Sequence, residues 1–521
     1  MTIKISKTTS CTFVLFISSC FVARASAQTP EARIIKPETV KHYIDTFNTM
    51  EPEPVVNLIP NAKVWDWMVE QVPFFDCPDP GLQEIYYFRW WSYRKHIKHI
   101  TASPYICLTE FLPWENPVSS AVGHHIAEGR WIHDNSYLDQ DLLYWLRGNG
   151  GPTGKPFDTH RFSSWTTWAA YQRYLVNNDK TFITGMLDDF IRDYKEWERT
   201  SLAPNGLYWR KESNDAMEDG INGSRQAEFR RPTISSYMYG NALAIAQIAT
   251  LAGKPDLAKE YDAKAAGIKT AVQNILWDKD DHFFKQQWPD GDLSSFREEI
   301  GFVPWLFELP DKNQGYEAAW KQLTDSAGFD APFGITTAER RAPGFRTHGS
   351  GHSCEWDGAV WPFSTSQTLS AMANVLNDYP QTAITKDDYL KALQVYAKSQ
   401  HLDGKPYIGE YLDEKTGEWL RTDKERGRSY NHSTFCDLII SGLVGIHPQE
   451  GDTLQIAPLV PPAAWDWFCL DNLLYHGRIL SIIWDKTGEK YGKGSGFTIL
   501  SGTTPIAYQA ALAPITITLP K

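Results

Sequence analysis

Hydrophobic residues recur with the spacing of an amphipathic helix in segment after segment between about residues 80 and 445. The stretch 242–249 is small and apolar on nearly all sides, as expected of a helix that is buried on most faces. The stretch 255–270 is charged along one face, which suits a helix of an outer layer. This alternation predicts a mainly α fold in which six helix hairpins form a double ring. The helical stretches begin near Leu82, Ser119, Tyr137, Ser163, Phe182, Thr233, Pro255, Ser295, Tyr316, Asp357, Lys386 and His432.

The pattern changes at both ends of this helical region. Beyond residue 445, four short segments are β-branched and alternate in polarity, which predicts a small all-β domain. The prolines of residues 28–80 predict an extended arm that packs on the barrel. We therefore divide the chain into a signal peptide (1–27), an extended N-terminal arm (28–80), a helical catalytic barrel (81–445) and a C-terminal β domain (446–521).

The first residues have the features of an export signal. Lys4 and Lys7 precede an apolar run, and Ala25-Ser26-Ala27 offers the small-x-small pattern that signal peptidase cleaves. The four residues ending at Cys20 also resemble a bacterial lipoprotein box. We therefore expect an exported protein, either periplasmic or secreted, or an outer-membrane lipoprotein with a lipid on Cys20. No later stretch approaches the roughly 20 apolar residues of a membrane span.

Composition narrows the class of ligand. The formal net charge is -12, whereas binding to nucleic acid or to an anionic membrane requires a basic face. The 21 tryptophans suit a sugar ligand, because the flat C–H faces of sugar rings stack on aromatic rings. We find no phosphate-binding loop, zinc-binding spacing or Ser-His-Asp signature in the sequence, and therefore expect no cofactor and no metal. The cysteines beyond the signal are scattered, so we expect buried thiols.

Carboxylates and aromatic residues concentrate in four irregular segments between helices, which are 130–137, 215–220, 355–362 and 409–411. Any one of them could be a helix start beside a core tryptophan, since Asp134 and Asp357 are of a type that favours N-cap positions. Their recurrence at turns, where a helical ring opens into its pocket, favours a shared site. Hydrolysis of a glycosidic bond needs two carboxyl groups, one protonated and one ionised. The pattern therefore predicts a glycosidase.

Two of these segments resemble the catalytic segments of the mannosylglycerate hydrolase-like glycosidases, relatives of processing α-glucosidase and trehalase in glycoside hydrolase clan G. Residues 215–220 read Asp-Ala-Met-Glu-Asp-Gly, where the family reads roughly Gly-Met-Asp-Asn-Ser and its Asp is the general acid. Aligning the methionines places Glu218 at the acid position, with Asp215 as a second candidate. A shifted register places Asn222 there, which cannot donate a proton as an acid does. Residues 407–417 are similar to the general-base segment, with Glu410 as the base.

The resemblance also implies a set of sugar-binding residues. Residues 356–362 resemble the family's Trp-Arg-Gly-Pro-x-Trp turn, with Asp357 in place of Arg. Residues 133–137 resemble its Trp-Asp-Ser segment, with His133 in place of Trp. For His432 a structural role is an equally good interpretation. The implied substrate-binding residues are Trp131, Asp134, Arg231, Trp356, Asp357, Trp361, Tyr411 and His432.

Together these features imply an (α/α)6 barrel in an exo-acting glycoside hydrolase that removes a terminal, α-linked sugar from an oligosaccharide or glycan. The resemblance implies inversion, with Glu218 protonating the leaving oxygen and Glu410 activating water. Two alternatives stay open from the sequence. A polysaccharide lyase can also use a helical toroid, and His124, His125, His348 or His352 could serve it as a base. A non-catalytic glycan-binding protein would need the aromatic residues but not both carboxylates.

Overall fold

The computed structural model describes residues 33–50, 53, 58–101, 103–115, 117–148, 159–347 and 354–520. The predicted signal peptide, including Cys20, lies outside the described residues, as do His348 and His352. In the parts of the chain that the structure describes, no helix combines the length and apolar character that crossing a membrane requires.

The described ranges contain twelve α-helices. They are α1 (Lys41–Met50), α2 (Val64–Gln71), α3 (Pro80–Tyr93), α4 (Val122–Gly129), α5 (Ser136–Arg147), α6 (Thr166–Asn177), α7 (Lys180–Gly185), α8 (Leu187–Ser201), α9 (Pro232–Leu251), α10 (Pro255–Ala271), α11 (Pro362–Asp378) and α12 (Lys386–Ser399). Two longer 3-10 helices cover Glu299–Phe307 and Tyr316–Gln322, and π-helical turns cover Val272–Leu276 and Leu438–Leu443.

These helices form the predicted double ring. In chain order the inner ring consists of α4, α6, α9, Glu299–Phe307, α11 and Leu438–Leu443, each packed on the next. Helix α9 is buried along most of its length and has many small residues, whereas α10 buries one face. This confirms the mainly α barrel. The stretches predicted near Ser295 and Tyr316 are 3-10 rather than α-helical, and Pro304 inside the first of them cannot supply an α-helical hydrogen bond.

The Glu128 carboxylate connects the first inner helix to the last. It lies at the end of α4 and accepts hydrogen bonds from the backbone N–H groups of Phe435, Cys436 and Asp437, at 2.8–3.2 Å. The Arg89 guanidinium of α3 lies 3.8 Å from the same carboxylate. A negative charge on free N–H groups at a helix start stabilises that start. Contacts between residues some 300 positions apart therefore join the two ends of the ring.

The N-terminal segment is more structured than the extended arm that its prolines predict. It contains α1, α2 and the strand β1 (Phe74–Asp76). Pro37 begins a short 3-10 helix and Pro80 is the first residue of α3. Proline is favoured at the first helical position, where its missing N–H has no intrahelical partner to lose. These prolines therefore mark helix starts rather than an absence of helices.

The chain beyond residue 445 forms two antiparallel sheets, as predicted for a small β domain. Its strands are β2 (Ile446–Pro448), β3 (Thr453–Ile456), β4 (Trp467–Tyr475), β5 (Arg478–Asp485), β6 (Gly496–Ser501), β7 (Thr504–Gln509) and β8 (Ile515–Thr518). One sheet has the order β1-β4-β5-β6-β7 and the other β2-β3-β8. Because β1 comes from the N-terminal segment, that segment is part of the C-terminal sheet. The buried Asp471 carboxylate adds to this link by accepting from the N–H groups of Ile34 and Ile35.

We expect Thr385→Ala to lower the free energy of unfolding by about 1 kcal/mol. Thr385 and Asp388 form a capping box at the start of α12, in which each side chain accepts from the other residue's N–H. Alanine leaves one of these N–H groups without its acceptor. Urea denaturation measures the effect, and Thr385→Ser, which keeps the hydroxyl, is the control. Equal stability of the alanine variant and wild type would contradict the prediction.

Candidate active site

Glu218 lies in a strained loop between α8 and α9. Ala216 and Asp219 on either side of it both have φ near 60° in the left-handed region, which non-glycine residues seldom adopt. The intervening Met217 is buried and anchors the loop in the core. Glu218 keeps 14% of its side chain exposed. Backbone strain of this kind is typical of positions whose side chain must point in one direction.

The Glu218 carboxyl is buried beside one cation and one thiol. Arg225 donates from Nη2 to Glu218 Oε1 at 3.2 Å and from Nη1 to Asp219 at 3.2 Å. The Cys354 thiol also hydrogen bonds to Glu218. Burial raises the pKa of Glu218 above its ordinary value, and the shared Arg225 guanidinium opposes this only in part. A raised pKa is what a carboxyl needs if it is to hold a proton for a leaving group.

Asp215 and Asn222, the other two candidates for the acid, have structural partners. The Asp215 side chain is fully buried and accepts from Arg231 Nε at 2.7 Å and from the Thr233 hydroxyl. The Asn222 amide donates to Glu298 at 2.7 Å and exchanges hydrogen bonds with the backbone of Phe296. Of the three, Glu218 is therefore the one with an exposed carboxyl surface and without a strong structural role.

Glu410 lies on a segment paired with the loop before α11. The backbones of Val360 and Leu412 exchange two hydrogen bonds of 3.0 Å. Glu410 itself is 4% exposed, and its carboxylate lies 3.5 Å from Arg426 and accepts from the Tyr430 hydroxyl at 3.3 Å. Burial raises the pKa of Glu410, while Arg426, Arg421 and the phenol oppose the rise.

The two glutamates share one site. The charge of Glu218 raises the pKa of Glu410, and burial together with both charges raises the pKa of the Cys354 thiol to about 12. Because the two groups influence each other, loss of the first proton makes the second harder to remove. Two guanidinium groups and a phenol favour the ionised form of Glu410, whereas Glu218 shares one guanidinium with Asp219. Burial raises the pKa of both carboxyl groups, and their cationic surroundings differ.

A stack of three aromatic rings lies next to Glu410. Tyr411 is parallel to Trp361 at 4.5 Å and Trp361 is nearly parallel to Trp356 at 4.4 Å. All three residues are buried, which suits the exclusion of water better than a broad contact with sugar. Asp357 is completely buried at the turn that supports this stack. His432 is also buried, and its ring bonds to the backbone of Glu410, so it holds the base segment in place.

Trp131, Asp134 and Arg231 do not belong to the site that we describe. Trp131 is fully buried and donates to Asp437 at 2.7 Å. Asp134 accepts from the N–H of Ser136 at the start of α5, so the helix-start interpretation applies to it. Arg231 is 1% exposed and is held by Asp215. The sequence pattern pointed to these residues, but the Trp131 and Arg231 side chains bond to other segments and the Asp134 side chain bonds to the start of its own helix.

Several site residues were not identified from the sequence. Three of them, Arg225, Cys354 and Tyr430, contact or electrostatically influence the catalytic candidates. Glu110 is a further buried carboxyl beside Tyr430. Trp114 is 45% exposed and packs edge-on against Phe111, whose ring meets Tyr430. The segment 109–115 is rich in carboxylates and aromatic residues, and this was the signal available in the sequence.

The cysteine and metal expectations can be compared with the described residues. The five cysteines Cys77, Cys107, Cys354, Cys436 and Cys469 are free and buried, as expected. Across the described ranges, no group of three or more His, Cys, Asp or Glu side chains is arranged to hold a metal ion.

The structure therefore combines a helical double ring, a C-terminal β domain and a site with two carboxyl groups from distant segments, Glu218 and Glu410. Residues 115–433 match the mannosylglycerate hydrolase MGH1-like glycoside hydrolase domain, and residues 449–501 match the C-terminal domain of glycosyl hydrolase family 65. The chain belongs to the mannosylglycerate hydrolase MGH1-like glycoside hydrolase family.

Solved structures support the same fold. A protein described as a sialidase is 46% identical with a TM-score of 0.89, over 93% of this chain and 45% of that one. This chain therefore spans less than half of that longer protein. Family 63 mannosylglycerate hydrolase from Thermus thermophilus is 12% identical with a TM-score of 0.50, over 68% of this chain and 99% of that one. A family 78 rhamnosidase of a Bacillus species is 11% identical with a TM-score of 0.56, over 79% of this chain and 40% of that one.

Proposed function

We propose that this protein is an exported, exo-acting glycoside hydrolase that cleaves a terminal sugar, which we expect to be α-linked, with inversion of configuration. Glu218 is the general acid and Glu410 the general base. One observation carries the proposal: two glutamates from distant segments, the partly exposed Glu218 and the buried Glu410, influence the same thiol, and their cationic surroundings differ. That difference supports opposite protonation states, which acid and base catalysis by two carboxyl groups requires.

The reaction then takes place in one displacement. Glu218 gives its proton to the glycosidic oxygen, and the bond from this oxygen to the anomeric carbon breaks with its electron pair on the oxygen. A water oxygen bonds to the anomeric carbon from the opposite face, and Glu410 takes a proton from that water. Glu218 ends ionised and Glu410 ends protonated. Exchange with solvent returns both groups to their starting states.

The carboxyl spacing in such a mechanism leaves room for one water molecule, typically about 6.5–9.5 Å between the two groups. The stacked rings of Trp356, Trp361 and Tyr411 form an apolar surface next to Glu410, which suits the exclusion of bulk water from this part of the site. The arginines of the site also suit a substrate with an acidic group, so a sialic acid glycoside belongs among the substrates to be tested, in view of the sialidase similarity.

The test is the release of a free monosaccharide from a panel of plant, microbial and sialylated oligosaccharides by the mature protein. Proton NMR of the first product identifies its anomer before mutarotation. We expect one sugar, released from the non-reducing end, with its anomeric configuration inverted. A product that retains its configuration would overturn the inverting mechanism, and shortening from within the chain would overturn exo action. An unsaturated product absorbing at about 230–235 nm would instead indicate the eliminating step of a lyase.

We expect Trp114→Ala to lower kcat/KM by about tenfold, chiefly through KM, because an exposed ring near the site can stack on a sugar. The variant should unfold at nearly the wild-type temperature, since the side chain is 45% exposed. Steady-state kinetics with the sugar identified in the panel measures the effect. Tyr508→Ala is the matched control, because Tyr508 is 59% exposed in the C-terminal domain. An unchanged KM for Trp114→Ala would remove Trp114 from the substrate site.

A further inference from the structure

A second carboxyl group lies behind Glu410. Glu110 is 5% exposed, and its Oε2 is 3.5 Å from the Ser120 hydroxyl. The Tyr430 phenol donates to Glu410 at an oxygen–oxygen distance of 3.3 Å and also interacts with the Glu110 carboxyl. The backbone N–H of Asn431, the next residue, donates to the Glu110 carbonyl at 2.9 Å and holds the two segments together. Tyr430 is itself buried. The three side chains therefore form a row in which one phenol connects two carboxyl groups.

The phenol has one proton and can donate to only one of its two neighbours. If both carboxyl groups were ionised, one of them would face the phenol oxygen without a hydrogen between them, which is costly in a buried site. If Glu110 is protonated, its O–H donates to the phenol oxygen, and the phenol proton is then directed to Glu410. The geometry therefore gives a hydrogen-bond chain whose direction depends on the proton of Glu110.

The electrostatic surroundings favour this direction. Burial raises the pKa of Glu110 to about 8, with the negative charge of Glu410 adding to the rise. The hydroxyls of Tyr430 and Ser120 and the charge of Arg426 oppose it. Arg426 lies 3.5 Å from the Glu410 carboxylate, so its charge supports the ionised form of Glu410. Burial also keeps the pKa of Tyr430 well above its ordinary value, so the phenol retains its proton.

We propose that Glu110 is a positioning residue for the general base: in its protonated form it orients the Tyr430 phenol, which donates to the Glu410 carboxylate and holds it ionised toward the attacking water. This rests on the proposed function, in which Glu410 is the base. No atom of Glu110 needs to touch the substrate. Its role is to hold a proton that it donates to the Tyr430 oxygen, so that Tyr430 in turn donates to Glu410, which contacts the reacting water.

The first test compares Glu110→Gln, Glu110→Leu and Tyr430→Phe in kcat and KM between about pH 4 and 9, with an aryl glycoside of the sugar released in the panel. Glutamine is a neutral donor that replaces the protonated carboxyl, so we expect kcat within about threefold of wild type. Leucine offers no donor, and we expect kcat to fall by about tenfold with little change in KM. Removal of the phenol hydroxyl should move the acidic limb of kcat/KM upward by about half to one pH unit, because Glu410 loses a donor to its ionised form.

The second test measures the protonation of Glu110 through the pH dependence of the melting temperature. The folded protein holds the Glu110 proton up to a pKa of about 8, whereas the unfolded chain releases it near 4.5. The stability that this proton contributes is therefore complete below the lower value and is lost as the pH rises through the higher one. Glutamine does not titrate, so the melting temperature of Glu110→Gln minus that of wild type should increase between about pH 5 and 8.

The outcomes distinguish the proposed role of Glu110 from the proposed function, in which Glu410 is the general base. A melting-temperature difference that is flat with pH would overturn the protonated Glu110, whether or not a substrate is known. An acidic limb that does not move in Tyr430→Phe would overturn the chain to Glu410. Equal losses in Glu110→Gln and Glu110→Leu would show that an ionised Glu110 is required and would overturn its role as a donor. Full activity of Glu410→Gln would overturn the proposed function itself, while the melting-temperature test would still report the proton of Glu110.

Discussion

Glu218→Gln and Glu410→Gln should each lower kcat by about a thousandfold or more while the protein remains folded, since each removes one of two groups that act in the same transition state. The two variants should differ in their dependence on the leaving group. Glu218→Gln should regain activity on an activated aryl glycoside, whose leaving oxygen needs no proton. Glu410→Gln should not, because the attacking water still lacks its base. Initial rates on the natural and the aryl substrate measure this contrast.

Two exposed glutamates, each close in sequence to one of the two catalytic candidates, provide the matched controls. Glu228 and Glu418 are exposed, and their replacement by Gln should leave both rates near those of wild type. Asp215→Asn addresses the remaining candidate for the acid. If Glu218→Gln were nearly unimpaired and Asp215→Asn lost its activity on the natural substrate but not on the aryl substrate, Asp215 would be the acid. The buried ion pair of Asp215 with Arg231 argues against this result.

Arg231→Met should lower the free energy of unfolding by about 3–5 kcal/mol at neutral pH, because it leaves buried carboxylates without their cation. Arg231 Nε lies 2.7 Å from Asp215 and Nη1 lies 3.8 Å from Glu212. Its charge also lowers the pKa of the buried Glu298 carboxyl, against the larger rise that burial causes. These contacts support the loop that carries Glu218, so activity should fall together with stability. Guanidinium denaturation and kinetics on the same preparations measure both effects.

The pH dependence of Arg231→Met distinguishes this cause from a simple loss of packing. Without the guanidinium, the pKa values of the carboxyl groups around it rise, because their ionised forms lose a favourable charge. They take up protons as the pH falls, and the penalty of buried unpaired charge is then relieved. The stability difference between wild type and variant should therefore shrink toward acidic pH. A constant difference would contradict the charge explanation. Lys259→Met, at an exposed position of α10, is the control.

The helical spacing predicted the barrel because it is a local property. Helix α9 is buried on nearly all sides and α10 on one, as their residues indicate. The 3-10 helices of the ring were harder to recognise. Glu299–Phe307 is strongly apolar and contains Pro304, and apolar spacing alone does not distinguish its tighter winding from an α-helix. The prolines before residue 81 were misleading for a related reason, since proline is compatible both with extended chain and with the first position of a helix.

The candidate site was predicted in part. Glu218 and Glu410 come from motifs, and the structure brings them to one thiol. Asp134 comes from a motif of the same kind and Trp131 from the same irregular segment, but their polar atoms bond to the start of α5 and to Asp437. A motif specifies residue types and spacing along the chain. It does not specify which end of a helix faces the pocket, because packing against the neighbouring helices decides that.

The sequence by itself determined a ring of paired helices and a small β domain and predicted a chemistry of paired carboxyl groups, because these follow from local spacing and from residue type. The tertiary structure alone decided which carboxyl groups pair with structural cations and which remain at the site. Asp215 and Glu218 are three residues apart, yet one is sealed against Arg231 and the other faces Cys354. The pKa of a carboxyl group also depends on partners far away in the chain, as that of Glu110 depends on Tyr430 and Arg426. The electrostatic environment of each carboxyl group in the site is therefore set only once the chain has folded and these distant segments are in contact.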